Sequence, residues 1–103
     1  MTLVVILSVR SEAVDTFRSF EQQAARVMAK YGGAIERTVV IAPARPGEVL
    51  KEIHIVTFPN EQALEAYRND SDLKQLAHLR EAVVVQTEIL VGEDGPDYTP
   101  DPT

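Results

Sequence analysis

Cysteine is absent from the 103 residues, so the chain can form neither a disulfide nor a thiolate nucleophile. Long apolar runs are also lacking, because none approaches the ~18 residues that a membrane-spanning helix needs. Met1 and Thr2 lead directly into an apolar strand without the basic segment and cleavage site of a secretion signal. We therefore expect no membrane partner and a cytoplasmic location.

Basic residues are few. Ten of them stand against sixteen acidic residues, which gives a net charge of -6, and they are scattered along the chain. Such a chain repels phosphate backbones at long range, so we expect no nucleic-acid partner. The 45% hydrophobic and 25% charged fractions are those of an ordinary globular domain.

Signatures of metal and nucleotide sites are missing as well. His54 and His78 fall in different predicted elements, and neither belongs to an HExxH pattern. Gly32 and Gly33 follow a predicted helix and not a strand, so they read as a helix terminator and not as a phosphate loop. We expect neither a metal nor a cofactor.

The first half of the chain predicts a strand, a helix and a second strand. Residues 3–9 form a short run rich in Val and Ile, typical of a central strand that is buried on both faces. Apolar residues then recur at spacings of three and four over residues 13–31, which indicates one buried helical face. After Gly32 and Gly33, residues 34–42 alternate in part and predict an edge strand.

The second half predicts a strand, a broken helix and a last strand. Residues 52–58 are rich in β-branched and aromatic side chains and stop at Pro59, and Asn60 is a good helix N-cap. The apolar stripe of the following helix is interrupted by the polar residues 69–71. Residues 83–91 are again rich in Val and predict the final strand.

This order of elements predicts a ferredoxin-like βαββαβ fold of the α+β class. Its four-stranded antiparallel sheet carries both helices on one face, with the second helix broken. We assign residues 1–92 to this one domain. Residues 93–103 hold three prolines and four acidic residues, so they predict a C-terminal tail without regular structure.

The sheet face without helices needs a cover. In the last strand, alternation assigns one set to the helix side, namely Val83, Val85, Thr87, Ile89 and Val91. The open side then receives Val84, Gln86, Glu88 and Leu90. In the third strand, Ile53, Ile55 and Thr57 suit the helix side, which leaves Glu52, His54, Val56 and Phe58 on the open side. This mixed face predicts a homodimer that closes around a partly polar cavity.

Short motifs in this order are similar to those of the domain of unknown function thirteen-thirty family, in the dimeric α/β-barrel superfamily. The matching residues are Lys30, Tyr31, Gly32, Gly33, Phe58, Pro59, Ala63, Tyr67, Ser71, Leu79, Arg80, the three valines at 83–85 and Gly92. The family commonly has Trp where Tyr67 stands, and residues 43–47 replace its usual Glu-Gly turn. The resemblance implies the fold, a dimer and a cavity, but no reaction.

His54 is the strongest candidate for catalysis, because an imidazole on an apolar strand can act as a general base. We expect Glu52, His54 and Glu88 to be the polar contacts of a ligand. Tyr67 and Arg80 are further candidates for ligand binding. The structural alternatives are a His54 that is satisfied by Glu52 at a dimer interface, a packed Tyr67 and an Arg80 that stabilises a helix C-terminus.

Three functions fit these residues. The first is a homodimer that binds a small apolar or aromatic molecule. The second is a cofactor-independent monooxygenase or isomerase with His54 as base, as superfamily relatives include such enzymes alongside haem-degrading enzymes and stress proteins. The third is a structural or regulatory dimer without catalysis. The fold alone does not choose among them.

Overall fold

The computed structural model describes residues 1–102. In chain order the elements are β1 (Thr2–Val9), α1 (Val14–Ala29), β2 (Ala34–Ile41), β3 (Leu50–Thr57), α2 (Glu61–Arg68), α3 (Ser71–Gln75), α4 (Ala77–Val83) and β4 (Val84–Gly92). One turn of 3₁₀ helix, Ser11–Ala13, precedes α1. The strands form an antiparallel sheet in the order β2-β3-β1-β4. The predicted ferredoxin-like α+β fold is confirmed.

The strand positions agree with the sequence pattern. The Val-rich β1 is central, since it pairs with both β3 and β4. In contrast, β2 pairs with β3 alone and forms one edge of the sheet. The predicted central and edge strands are therefore confirmed, and the apolar run of β1 is where both neighbours can shield it.

The helix-covered face of β3 differs from the prediction. Val56 and Phe58 are each 3% exposed and pack with Leu3 against the helices. Because side chains alternate along a strand, the same face carries Glu52 and His54. The predicted position of these two residues on the open face is wrong. Their side chains bond to each other, and this pairing allows polar groups to lie beneath the helices.

The open face is correspondingly more apolar than predicted. It receives Ile53 and Ile55 from β3, which we had expected beneath the helices. In the paired β1 they lie opposite Ile6 and Val4, and these four side chains are only half-buried. Within residues 1–102, the apolar centre of this face therefore remains without a cover.

A bulge changes the faces at the start of β4. Val9 lies opposite Val84 whereas Ser8 lies opposite Gln86, so Val85 is the extra residue. As a result Val84 packs against the buried core and Val85 is 52% exposed, the reverse of the predicted faces. The predicted helix-side positions of Thr87 and Ile89 hold beyond the bulge, where both line a cavity beneath the helices.

Two of the three short helices in the second helical region, α2 and α3, begin at a side-chain cap. The Asn60 side chain accepts a hydrogen bond from the Ala63 amide at 2.9 Å, as predicted for an N-cap. Asp70 caps α3 in the same way and also accepts a 2.5 Å hydrogen bond from the Tyr31 hydroxyl. Lys30 contacts the neighbouring Asp72 at 2.7 Å. These contacts tie α3 to the end of α1.

Gly33 permits a close approach between α1 and β3. A Cβ atom at this position would lie 2.5 Å from the Phe58 ring and 2.6 Å from Met28 Cγ. Non-bonded carbon atoms in proteins do not approach each other this closely, so a side chain at this position would displace two core residues. The glycine thus fixes the end of the core where Phe58 faces the helices.

The described part of the C-terminal tail, residues 93–102, contains neither helix nor strand, and its Tyr98 is 86% exposed. The predicted tail also includes Thr103, which lies outside the described residues. Among residues 1–102, no helix has the length and apolar character needed to cross a membrane.

Candidate functional site

A cavity of about 330 Å³ lies between the helix-covered sheet face and the helices. Apolar side chains from both layers form most of its wall: Leu3, Val5, Leu7, Phe20, Met28, Ile35, Val56, Phe58, Leu64, Leu73, Ala77 and Ile89. Its polar and charged lining consists of Glu21, His54, Tyr67, Arg68, Lys74, Arg80 and Thr87. A small number of polar groups in an apolar cavity is typical of a small-molecule site.

His54 stands at the sheet side of this cavity and is 3% exposed. Its Nε2 atom lies 2.7 Å from Oε1 of Glu52, which is itself 6% exposed. An ionised carboxylate can only accept hydrogen bonds, so we assign the proton to Nε2 as the donor. With Nε2 as the donor, Nδ1 is the ring nitrogen that is left to accept a proton.

Nδ1 of His54 lies near the carboxylate of Glu21. The distance from Nδ1 to Glu21 Oε2 is 3.8 Å, too long for a hydrogen bond. Glu21 and His54 both line the cavity, whereas Glu52 lies behind the imidazole and does not. The arrangement therefore offers a potential proton acceptor at the cavity wall with a carboxylate on each side of the ring.

The sequence interpretation missed Glu21. It lies in α1 between Phe20 and Ala24, on the apolar stripe that packs against the sheet. Burial raises the pKa of the Glu21 carboxyl above 4.5, and the charge of Glu52 raises it further, while His54 and Arg80 act in the opposite direction. A carboxylate at a stripe position was the signal that could have identified it.

Tyr67 and Arg80 also belong to the polar lining. Burial is the largest of the effects that raise the pKa of Tyr67 to about 12, so the phenol can donate a hydrogen bond but stays protonated near neutral pH. The ring of Tyr67 lies 5.4 Å from that of Phe58. Arg80 reaches across to β4 and donates to the Thr87 hydroxyl.

Glu88 does not belong to this group. It lies opposite Ile6 on the open face, whereas His54 lies opposite Val5 on the helix side. The structure thus brings Glu52, His54, Tyr67 and Arg80 together and leaves Glu88 across the sheet. The cavity that the structure shows lies beneath the helices. A cavity against the open face, closed by a second copy, stays a prediction.

Within residues 1–102, no group of three or more His, Asp or Glu side chains is arranged to hold a metal ion.

The titration of Glu21 predicts a pH dependence of stability. Its pKa in the folded chain lies above 4.5, so the folded chain binds this proton more tightly than the unfolded chain does. Stability from this group is therefore present at low pH and is lost as the pH rises through the folded-state pKa. We expect Glu21→Gln to be increasingly stabilising relative to the wild type as the pH rises above 4.5.

Urea denaturation over a pH series measures this effect. The control is Glu12→Gln, which removes an exposed carboxylate close to the start of α1. Glu52, His54, Tyr67 and Arg80 face Glu21 from the other elements and remain in both variants. A stability difference for Glu21→Gln that does not grow with pH, or grows no more than that of the control, contradicts the buried position of this carboxyl.

The fold was compared with known proteins. No protein-family model and no curated protein sequence matches the chain. Membership in the domain of unknown function thirteen-thirty family therefore stays a prediction.

Solved structures do match. One is a proposed antibiotic biosynthesis monooxygenase from Deinococcus radiodurans, with a TM-score of 0.66, 16% identity, and coverage of 98% of this chain and 99% of that one. Another is SnoaB, a cofactor-independent oxygenase from Streptomyces nogalater, with a TM-score of 0.61, 15% identity, and coverage of 91% and 93%. Rv0793 from Mycobacterium tuberculosis has a TM-score of 0.58 and 13% identity, with coverage of 94% and 100%. At these identities the likeness shows the fold alone, the ferredoxin-like α+β fold.

Proposed function

We propose that the chain binds a small aromatic or carbonyl compound in the cavity and removes a proton from it, with His54 as the general base. The observation that carries this proposal is the 2.7 Å hydrogen bond between His54 Nε2 and Glu52, together with the place of His54 in the cavity wall. The bond leaves Nδ1 for the ligand. A base must lie within hydrogen-bond reach of the proton that it takes, and only the cavity offers that access.

Glu52 has a positioning role in this proposal. As acceptor of the Nε2 proton it holds the ring in one tautomer and one orientation. When Nδ1 gains a proton, the adjacent carboxylate also stabilises the positive charge of the imidazolium. The same division of roles between a base and an orienting carboxylate operates in Ser-His-Asp triads, which have a different fold.

The reaction that follows proton removal is oxygenation by dioxygen. A CH₂ group activated by aryl and carbonyl neighbours loses a proton to His54 and becomes a carbanion, which transfers an electron to dioxygen. The radical pair joins to form a peroxide, which takes the proton back from His54, and loss of water leaves a carbonyl. The balance is CH₂ + O₂ → C=O + H₂O. Since the substrate carbon supplies all the electrons, the chain needs no bound cofactor for this reaction.

The likeness to SnoaB supports this chemistry, because SnoaB is a cofactor-independent oxygenase. Shared folds often carry unrelated functions, so the His54 site and not the fold is the main support. Ligand binding without turnover is the second candidate, and the apolar cavity by itself favours it. A purely structural dimer has less support, since an interface on the open face would leave the cavity unused.

We also propose a homodimer through the open sheet face. Half-buried Ile6, Ile53 and Ile55 form the centre of this face. Leu90 at 50% exposure and Val39 at 38% extend it on either side. An apolar surface of this kind on one side of a sheet favours pairing with a second copy.

The catalytic proposal predicts that His54→Asn loses activity. We suggest anthrone as the probe, because its activated CH₂ group oxidises to the ketone of anthraquinone. We expect the wild type to accelerate oxygen uptake over the spontaneous rate, and His54→Asn to lower this acceleration by about 10²–10⁴-fold. An oxygen electrode measures the consumption of dioxygen, and the absorbance of anthraquinone measures the formation of the product.

The control is His78→Asn, which alters an exposed histidine of α4 that does not line the cavity. It should retain the wild-type rate. Full activity in His54→Asn contradicts the role of that residue. The wild type could also bind anthrone without exchanging its CH₂ protons for deuterium and without oxygen uptake. This result excludes the proposed catalysis and favours ligand binding without turnover.

Two neighbouring residues of β4 test the dimer proposal, because they lie on opposite faces of the sheet. Leu90 lies opposite Val4 on the open face, whereas Val91 lies opposite Leu3 on the helix side and is 64% exposed. We expect the wild type and Val91→Glu to sediment as dimers at micromolar concentration. Leu90→Glu should sediment as a monomer, because the dimer interface would bury its carboxylate without a partner, which is costly. A monomeric wild type contradicts the proposal.

A further inference from the structure

The positive charges of the cavity lie on one side. Its lining includes Arg68, Lys74 and Arg80, which all belong to the stretch of short helices α2 to α4. These are three of only ten basic residues in a chain with a net charge of -6. The lining carboxylate, Glu21, comes from α1 instead. The cavity is therefore electrically asymmetric, although most of its wall is apolar.

Two of these three cations lack a carboxylate partner. Arg68 pairs with Glu65 at 3.1 Å on the surface of α2. Arg80 is half-buried and donates to the neutral hydroxyl of Thr87. Among residues 1–102, no salt bridge includes Lys74 or Arg80. Two positive charges thus adjoin an apolar space without an anion within bonding distance.

The spacing of these residues presents them to the same space. Leu73, Lys74, Ala77 and Arg80 all line the cavity, at intervals of one and three residues along α3 and α4. Lys74 is exposed and Arg80 is half-buried, so the two cations extend from the solvent side inward. Arg80 also lowers the pKa of Glu21, which indicates that its field reaches the opposite wall.

We propose that the ligand is an aromatic acid, with a planar apolar body and a single carboxylate that binds to Lys74 and Arg80. This inference rests on the proposed function, because it orients the remote end of the ligand toward His54. The guanidinium of Arg80 suits a carboxylate, which accepts two parallel hydrogen bonds from it. A head group with a second negative charge is disfavoured by Glu21 in the same cavity.

Calorimetric titration of the full chain with naphthoate and naphthamide tests this class. The two probes share the same aromatic body and differ in the charge of the head group. We expect naphthoate to bind about tenfold more tightly than naphthamide, since hydrogen bonds to charged groups are roughly twice as strong as neutral ones. Raising the salt from ~0.01 M to ~1 M should weaken naphthoate binding and leave naphthamide binding unchanged, because the exposed Lys74 is screened.

The variant Lys74→Gln/Arg80→Gln should reduce the preference for naphthoate to within about twofold while binding of naphthamide persists. Persistent naphthamide binding also shows that the variant folds. The control is Arg18→Gln, which removes an exposed cation of α1 that does not line the cavity and should keep the full preference. An unchanged preference in the double variant overturns the assignment of these two residues.

The other outcomes separate this inference from the proposed function. Equal binding of both probes by the wild type overturns the carboxylate class, while the role of His54 stands if anthrone is oxidised. Tighter binding of naphthyl phosphate than of naphthoate overturns it in favour of a phosphate ester. Binding of neither probe, together with no reaction of anthrone, overturns both proposals.

Discussion

The hydrogen bond between His54 and Glu52 is the constraint on which the site depends. Both side chains are nearly inaccessible to solvent on the helix-covered face of β3, where an unpaired charge would cost several kcal/mol. Their 2.7 Å contact satisfies one nitrogen and one oxygen together. Replacing either partner alone would leave the other buried without its bond. The pair thus explains how a polar strand segment can face the helices and why one ring nitrogen is left for a ligand.

The helices around this pair determine what surrounds the ring. On one side, α1 brings Glu21 to 3.8 Å from Nδ1 and raises the pKa of that carboxyl through burial. On the other side of the ring, the chain changes direction between α2, α3 and α4, so that Lys74 of α3 and Arg80 of α4 both line the opposite wall of the cavity. Asp70 fixes the first of these breaks, since it caps α3 and bonds to Tyr31 beyond the end of α1. A continuous helix would not follow the cavity wall with the same residues.

The sequence predicted the order of elements, the central β1, the edge β2 and the Asn60 cap, because each depends on local pattern. It did not predict which face of β3 lies beneath the helices. Both faces of that strand carry large apolar residues, Ile53 and Ile55 on one side and Val56 and Phe58 on the other, so polarity pointed to the wrong face. Only the packing of Val56 and Phe58 against the helices decides it.

The candidate site was predicted in part for the same reason. His54, Tyr67 and Arg80 line one cavity, and Glu52 bonds to His54, but this cavity lies on the other side of the sheet from Glu88. Glu21 was missed within a regular apolar stripe. The bulge at Val85 depends on pairing with β1 and has no local signal. Long-range contacts, which a sequence pattern does not contain, account for the position of Glu88 and for the bulge, whereas the stripe position of Glu21 was visible in the sequence.

The position of the proton on the His54 ring decides whether this residue can act as a base toward the cavity, and it can be measured directly. A proton–nitrogen correlation spectrum of the histidine rings, assigned with His54→Asn, distinguishes the two tautomers of the neutral imidazole. We expect a proton on Nε2, held by Glu52, and a free lone pair on Nδ1. A proton on Nδ1 would contradict this expectation, because no nitrogen of the ring could then accept a proton from a ligand in the cavity.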